Sequence, residues 1–80
     1  MTEKRAFPRH RVLKQGTIAF RGGGRIDCMV RNISEGGARL EVATPFGLHG
    51  SFTLAIVSDN FLRDCRAVWN IERHVGVAFE

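Results

Sequence analysis

Alternation of apolar and polar residues with a period of two recurs along most of this chain, and no window shows a sustained helical period. Val12, Lys14, Gly16, Ile18 and Phe20 share one strand face, with Ile18 and Phe20 directed at a core, and Gly22-Gly23-Gly24 then makes a turn. Ile26, Cys28 and Val30 alternate with Arg25, Asp27, Met29 and Arg31, and Ala38, Leu40 and Val42 alternate with Arg39 and Glu41. Thr44-Pro45-Phe46-Gly47 reads as a second turn or crossover, and Phe52, Leu54 and Ile56 start a run that Ser58-Asp59-Asn60 closes. Cys65, Ala67, Trp69 and Ile71 alternate with Asp64, Arg66, Val68 and Asn70, which assigns Trp69 to the core, with a base-stacking role as the competing reading. Val75, Val77 and Phe79 form the last run. Six short strands with turn signals between them predict an all-β fold, a small six-stranded antiparallel β-barrel. Closure is favoured because an open sheet of the same strands would expose two edges.

Eighty residues make one domain, a size at which about 60% of the unfolded surface can be buried. Residues 1–10 read as a flexible basic N-terminal arm, and Pro8 holds Phe7 away from helical backbone. Residues 11–80 form the barrel. The formal charge is +4, and Lys4, Arg5, Arg9, Arg11 and Lys14 follow one another with no acid between them, so an anionic partner is expected. Cys28 and Cys65 lie in apolar runs without C-x-x-C spacing, and no leader precedes them, which reads as reduced core thiols in a cytoplasmic protein. No apolar stretch is long enough to span a bilayer, so direct membrane insertion is not expected. His10, His49 and His74 have no metal-ligand spacing, Ser34 has no His/Asp partners, and the glycine run lacks the Lys-Ser/Thr of a phosphate loop. A metal, a cofactor and an enzymatic activity are therefore not expected.

Two short segments carry the remaining chemistry. In Arg5-Ala6-Phe7-Pro8-Arg9 the two arginines, four apart on extended backbone, fall on one side about 13 Å from each other at roughly 3.3 Å per residue. Arginine suits a guanine-bearing phosphate ligand, because its planar fork pairs with phosphate oxygens or with O6 and N7 of guanine and stacks on purines. In Asn32-Ile33-Ser34-Glu35-Gly36-Gly37, Asn32 and Ser34 project to one face if the strand continues through them. Their amide and hydroxyl could read a base edge and a phosphate or ribose oxygen. Gly36 and Gly37 permit positive φ and close approach to backbone N–H groups. The competing readings are a solvated basic tail and an Asx- or Ser-type turn bonded to its own backbone.

In order, Arg5-x-x-x-Arg9 and Asn32-x-Ser34-x-x-Gly37 resemble the two motifs of the PilZ domain family, with Lys4 where the family often has another basic residue. Val68-Trp69 and Gly76-Val77-Ala78-Phe79 resemble its last strands. The resemblance implies a PilZ-like β-barrel that binds the bacterial second messenger cyclic di-GMP. It implies that Lys4, Arg5 and Arg9 clamp guanine and phosphate, that Asn32 and Ser34 contact the ligand from the barrel, and that Gly36 and Gly37 shape the turn. Ordering of the arm would then signal to an unidentified downstream protein. Family members often carry a helix after the last strand, whereas this sequence ends at Glu80, so no C-terminal helix is expected. Two rival readings are a PilZ-like protein-interaction module that binds no nucleotide and a small barrel for single-stranded nucleic acid. The absence of Tyr weighs against the second.

Overall fold

A computed structural model describes residues 10–43, 48 and 50–80 of the chain. Its strands are β1 (His10–Ala19), β2 (Arg25–Ile33), β3 (Gly37–Val42), β4 (Ser51–Ile56), β5 (Phe61–Ile71) and β6 (His74–Phe79), with one 3₁₀ turn over Val57–Asp59. They close into a barrel in the order β1-β2-β3-β6-β5-β4, every neighbouring pair antiparallel. This is the six-stranded antiparallel barrel that the alternation predicts. β1 begins at His10, the last residue of the segment read as an arm. Lys4, Arg5, Arg9 and the Thr44-Pro45-Phe46-Gly47 turn lie outside the described residues.

The inward positions of each strand fill the barrel. Ile18, Val30, Leu40, Leu54, Ile56, Cys65 and Val75 have no exposed surface, and Phe52 has 1%. Each large aliphatic or aromatic side chain so buried stabilises the fold by about 1.5–3 kcal/mol. Leu48, from the β3–β4 connection, is also buried, and Phe20 packs edge-on against Phe52 with ring centroids 6.1 Å apart. In the β1–β2 turn Gly23 takes φ +107°, which an L side chain would resist, and its N–H donates to the Phe20 carbonyl at 3.0 Å.

Three departures from perfect pairing shape the outer surface. Between Arg11 and Lys14, β1 carries one residue more than β2. In β2, Val30 pairs with Leu40 but Asn32 pairs with Arg39, so Arg31 is the extra residue. In β5, Ala67 pairs with Val77 but Trp69 pairs with Gly76, so Val68 is the extra residue. The last two are β-bulges beyond which the inside–outside phase of the strand is reversed, whereas β1 keeps its alternation, with Val12 packed against the core and Leu13 outside. Trp69 therefore does not join Cys65 and Ala67 in the core, as strict alternation would have it. Its side chain lies on the outer surface, 40% exposed, and Ile71 follows it outward at 63%. Asn70 moves into the phase Trp69 vacates and donates from Nδ2 to the Leu48 carbonyl at 3.0 Å, tying β5 to the β3–β4 connection.

Candidate ligand-binding site

Residues opposite one another in an antiparallel pair share a face of the sheet. Successive pairings place Arg11, Asn32, Arg39, Gly76 and Trp69 in one transverse row across β1, β2, β3, β6 and β5. The neighbours of Arg39 and Gly76 along their strands, Leu40, Val75 and Val77, are buried, so the row faces outward. Asn32 reaches this face only through the bulge at Arg31, since Cys28 and Val30 in the same alternation point inward. Two bulges thus turn an amide and an indole, both in core phase by simple counting, onto one patch of surface.

The turn after β2 borders this row. The Ser34 N–H donates to the Gly37 carbonyl at 2.8 Å, while Ser34 Oγ donates to that carbonyl at 3.3 Å and accepts from the Gly36 N–H at 3.2 Å. The hydroxyl thus closes the turn on its own backbone, as the Ser-turn alternative anticipates. Phe79 N–H donates to the Gly36 carbonyl at 3.0 Å and fixes the turn to β6. The glycine at 37 answers a different demand from positive φ, which among the described glycines is confined to Gly23 and Gly50. A Cβ on Gly37 would lie 2.2 Å from the Val77 carbonyl oxygen, so only glycine lets β3 pass β6 this closely.

At the other end of the row the Trp69 indole lies over Gly76. A Cβ added there would sit 2.1 Å from Nε1 and 2.2 Å from Cε2. Gly76 is therefore a seat for the ring. Asn32, Ser34, Gly37, Ala38, Arg39, Val68, Trp69, Gly76 and Val77 enclose an open depression of about 200 Å³. That is less than the ~300–1,000 Å³ of a pocket that engulfs a small molecule, so a nucleotide here would rest on the surface and need covering from the solvent side. In the amide orientation that satisfies both ends, Asn32 Oδ1 accepts from Arg39 Nε and Asn32 Nδ2 donates to the Arg31 carbonyl, both at 3.2 Å.

A larger groove of about 480 Å³ runs between β1 and β4, bordered by Leu13, Lys14, Thr17, Ala55 and Val57. Its one charged lining side chain, Lys14, is held by Asp59 at 2.6 Å, so it offers an anion little. Cys28 and Cys65 are buried thiols, and desolvation, with smaller repulsions from nearby acidic groups, pushes them up to about 11 and about 12 respectively. They stay protonated and are poor nucleophiles. Among the described residues no three His, Cys, Asp or Glu side chains converge on a metal position, and no helix is long and apolar enough to cross a membrane.

The family profile for the PilZ domain matches residues 3–80. This chain belongs to the PilZ domain family. PilZ domains are binding domains rather than a catalytic family, and in general they are receptors for cyclic di-GMP. A comparison with curated proteins gave no match. Of the residues expected to form the PilZ site, Asn32, Ser34, Gly36 and Gly37 stand together at one end of the depression, and Lys4, Arg5 and Arg9 lie outside the described residues. Sequence reading did not assign Arg39, Gly76 or an outward Trp69 to the site. Arg39 looked like an ordinary outward polar residue of β3, and only strand register shows it beside Asn32.

Proposed function

We propose that this PilZ domain binds cyclic di-GMP in the cytoplasm, with a guanine stacked on Trp69 and the ligand lying along the row from Trp69 to Asn32. The observation that carries this reading is that row itself: an exposed indole, an arginine and an amide on one concave patch beside the Asn32–Gly37 motif. Aromatic stacking of a base contributes about 1–3 kcal/mol. The solvent side of the ligand is assigned to Lys4, Arg5 and Arg9. The pairing of His10 with Ile33 starts β1 one residue from Asn32, so the basic segment joins the barrel at the site's edge. Ordering such a segment on binding offsets roughly 2–5 kcal/mol of the interaction energy. That cost makes the segment a switch, able to present a new surface to a downstream protein. Calorimetric titration of cyclic di-GMP tests this against Arg5→Ala, Arg9→Ala and Ser34→Ala. Weaker binding by the arginine variants is expected, and equal binding by all of them refutes the reading.

One observation favours the interaction-module alternative: Leu13 and Val57, 69% and 84% exposed, border the groove at the β1–β4 seam, which lies opposite β3 and β6 in the barrel order. A surface for a partner protein is compatible with nucleotide binding on the other side. Single-stranded nucleic acid is disfavoured, because such proteins stack successive bases on several aromatics. Trp69 is the single large exposed aromatic among the described residues.

A further inference from the structure

Two arginines of the barrel stand in the row, Arg11 and Arg39, and of these Arg39 is the one at the depression. It lines the depression together with Ser34, Gly37, Trp69 and Gly76. With the Asn32 amide in the orientation that satisfies both its ends, one of the five N–H donors of Arg39, on Nε, goes to Asn32 Oδ1 at 3.2 Å. The four on Nη1 and Nη2 have no acceptor, and the guanidinium forms no ion pair, among the described residues. Other arginines are engaged differently: Arg31 is paired with Glu41 at 2.8 Å and Arg63 donates to the Glu80 carbonyl at 3.2 Å. Arg39 is half-buried, and its partner is a neutral amide that fixes the plane of the guanidinium without cancelling its charge.

We infer that Arg39 binds a phosphodiester of the ligand, and that Asn32 acts as its positioning residue rather than as a reader of the guanine edge. This rests on the nucleotide-binding reading above and assigns the roles within it. A guanidinium held at Nε presents its Nη pair as a fork, the geometry that matches two phosphate oxygens. Asn32 supports that role because it is uncharged. A carboxylate at the same place would form an ion pair with Arg39 and place a negative charge beside the phosphates.

The two assignments of Asn32 predict opposite signs. If position 32 read guanine directly, Asn32→Asp would strengthen binding, since a carboxylate accepts from both N1–H and N2–H of the base. If Asn32 positions Arg39, Asn32→Asp weakens it. The experiment titrates wild type, Arg39→Gln, Arg39→Lys, Asn32→Asp and Asn32→Asp/Arg39→Gln with cyclic di-GMP and with cyclic di-AMP, at two salt concentrations. Thermal melts verify that each variant is folded. Arg39→Gln is expected to raise Kd at least about tenfold and to flatten its salt dependence, as loss of a phosphate contact does. Arg39→Lys, which keeps charge without the fork, recovers part of the loss. Asn32→Asp weakens binding in the wild-type background by more than in the Arg39→Gln background. Wild-type affinity in Arg39→Gln, or tighter binding by Asn32→Asp, overturns the inference while cyclic di-GMP binding stands. Equal, Arg39-dependent binding of cyclic di-AMP supports it and removes the guanine preference instead. If wild type binds neither dinucleotide, both readings fall.

Discussion

Gly76→Ala is the smallest change that tests how the site is built. The Cβ it adds would lie 2.1, 2.2 and 2.7 Å from Nε1, Cε2 and Cδ1 of Trp69. Ordinary carbon contacts begin near 3.5 Å, so the ring must retreat by about 1.4 Å or swing off the strand. Position 76 is itself tolerant, because its φ is not positive and alanine is favoured over glycine in a strand by about 0.5–1 kcal/mol. That gain offsets much of the packing the displaced indole gives up, and the melting temperature is expected to move little. Binding is a different matter. Loss of the platform removes about 1–3 kcal/mol of stacking, a Kd increase of roughly 5- to 150-fold. Trp69 is the chain's single tryptophan, so its emission reports the ring directly and is expected to shift to the red as the indole becomes hydrated. Calorimetry with cyclic di-GMP measures the affinity, and Trp69→Ala supplies the comparison. Each single variant should weaken binding by a similar factor, and the double variant by little more, because both remove one platform. The reasoning is refuted if Gly76→Ala binds like wild type with unchanged emission.

Other consequences of the packing can be measured with less apparatus. Gly37→Ala sets a Cβ 2.2 Å from the Val77 carbonyl, backbone against backbone with no flexible atom to yield. Urea unfolding should show a loss at or above the upper end of about 1–3 kcal/mol. Asn70→Ala removes the bond to the Leu48 carbonyl and is expected to cost about 1 kcal/mol in the same assay. The two thiols should react with a chromogenic disulfide reagent at pH 8 only after denaturant is added, both being buried and held protonated. Their folded-state values lie above the ordinary 9.0, so the folded protein retains protons that the unfolded chain releases. This stabilising contribution is full below pH 9 and is lost as pH rises toward about 11 to 12. Denaturation curves across that range should show it, and Cys28→Ala/Cys65→Ala should flatten the fall.

Strand content and burial were legible because Cys28, Val30, Leu40, Val42, Leu54, Ile56 and Val75 keep strict alternation, and the barrel fills its interior with those side chains. The Asn32–Gly37 turn was legible from its residue types. What could not be read was phase beyond a bulge. Arg31 and Val68 look like any outward residue of an alternating strand, and one extra residue there leaves no local mark on composition. Trp69 and Ile71 were misplaced for that reason, and with Trp69 went half of the site. Arg39 was invisible for another. Its significance lies in being opposite Asn32 and next to Gly76, which is a matter of register between strands distant in sequence. Gly37 was correctly singled out but for its backbone angle, whereas close passage of β6 explains it.

The central claim is that Trp69, Arg39 and the Asn32–Gly37 turn form one surface on which cyclic di-GMP lies. The measurement that meets it most directly is the fluorescence of Trp69 as cyclic di-GMP is titrated into the full chain. The account predicts a saturable quench, weakened in Arg39→Gln and in Arg9→Ala. Emission that stays constant through the titration, with no heat released in a parallel calorimetric run, would contradict it.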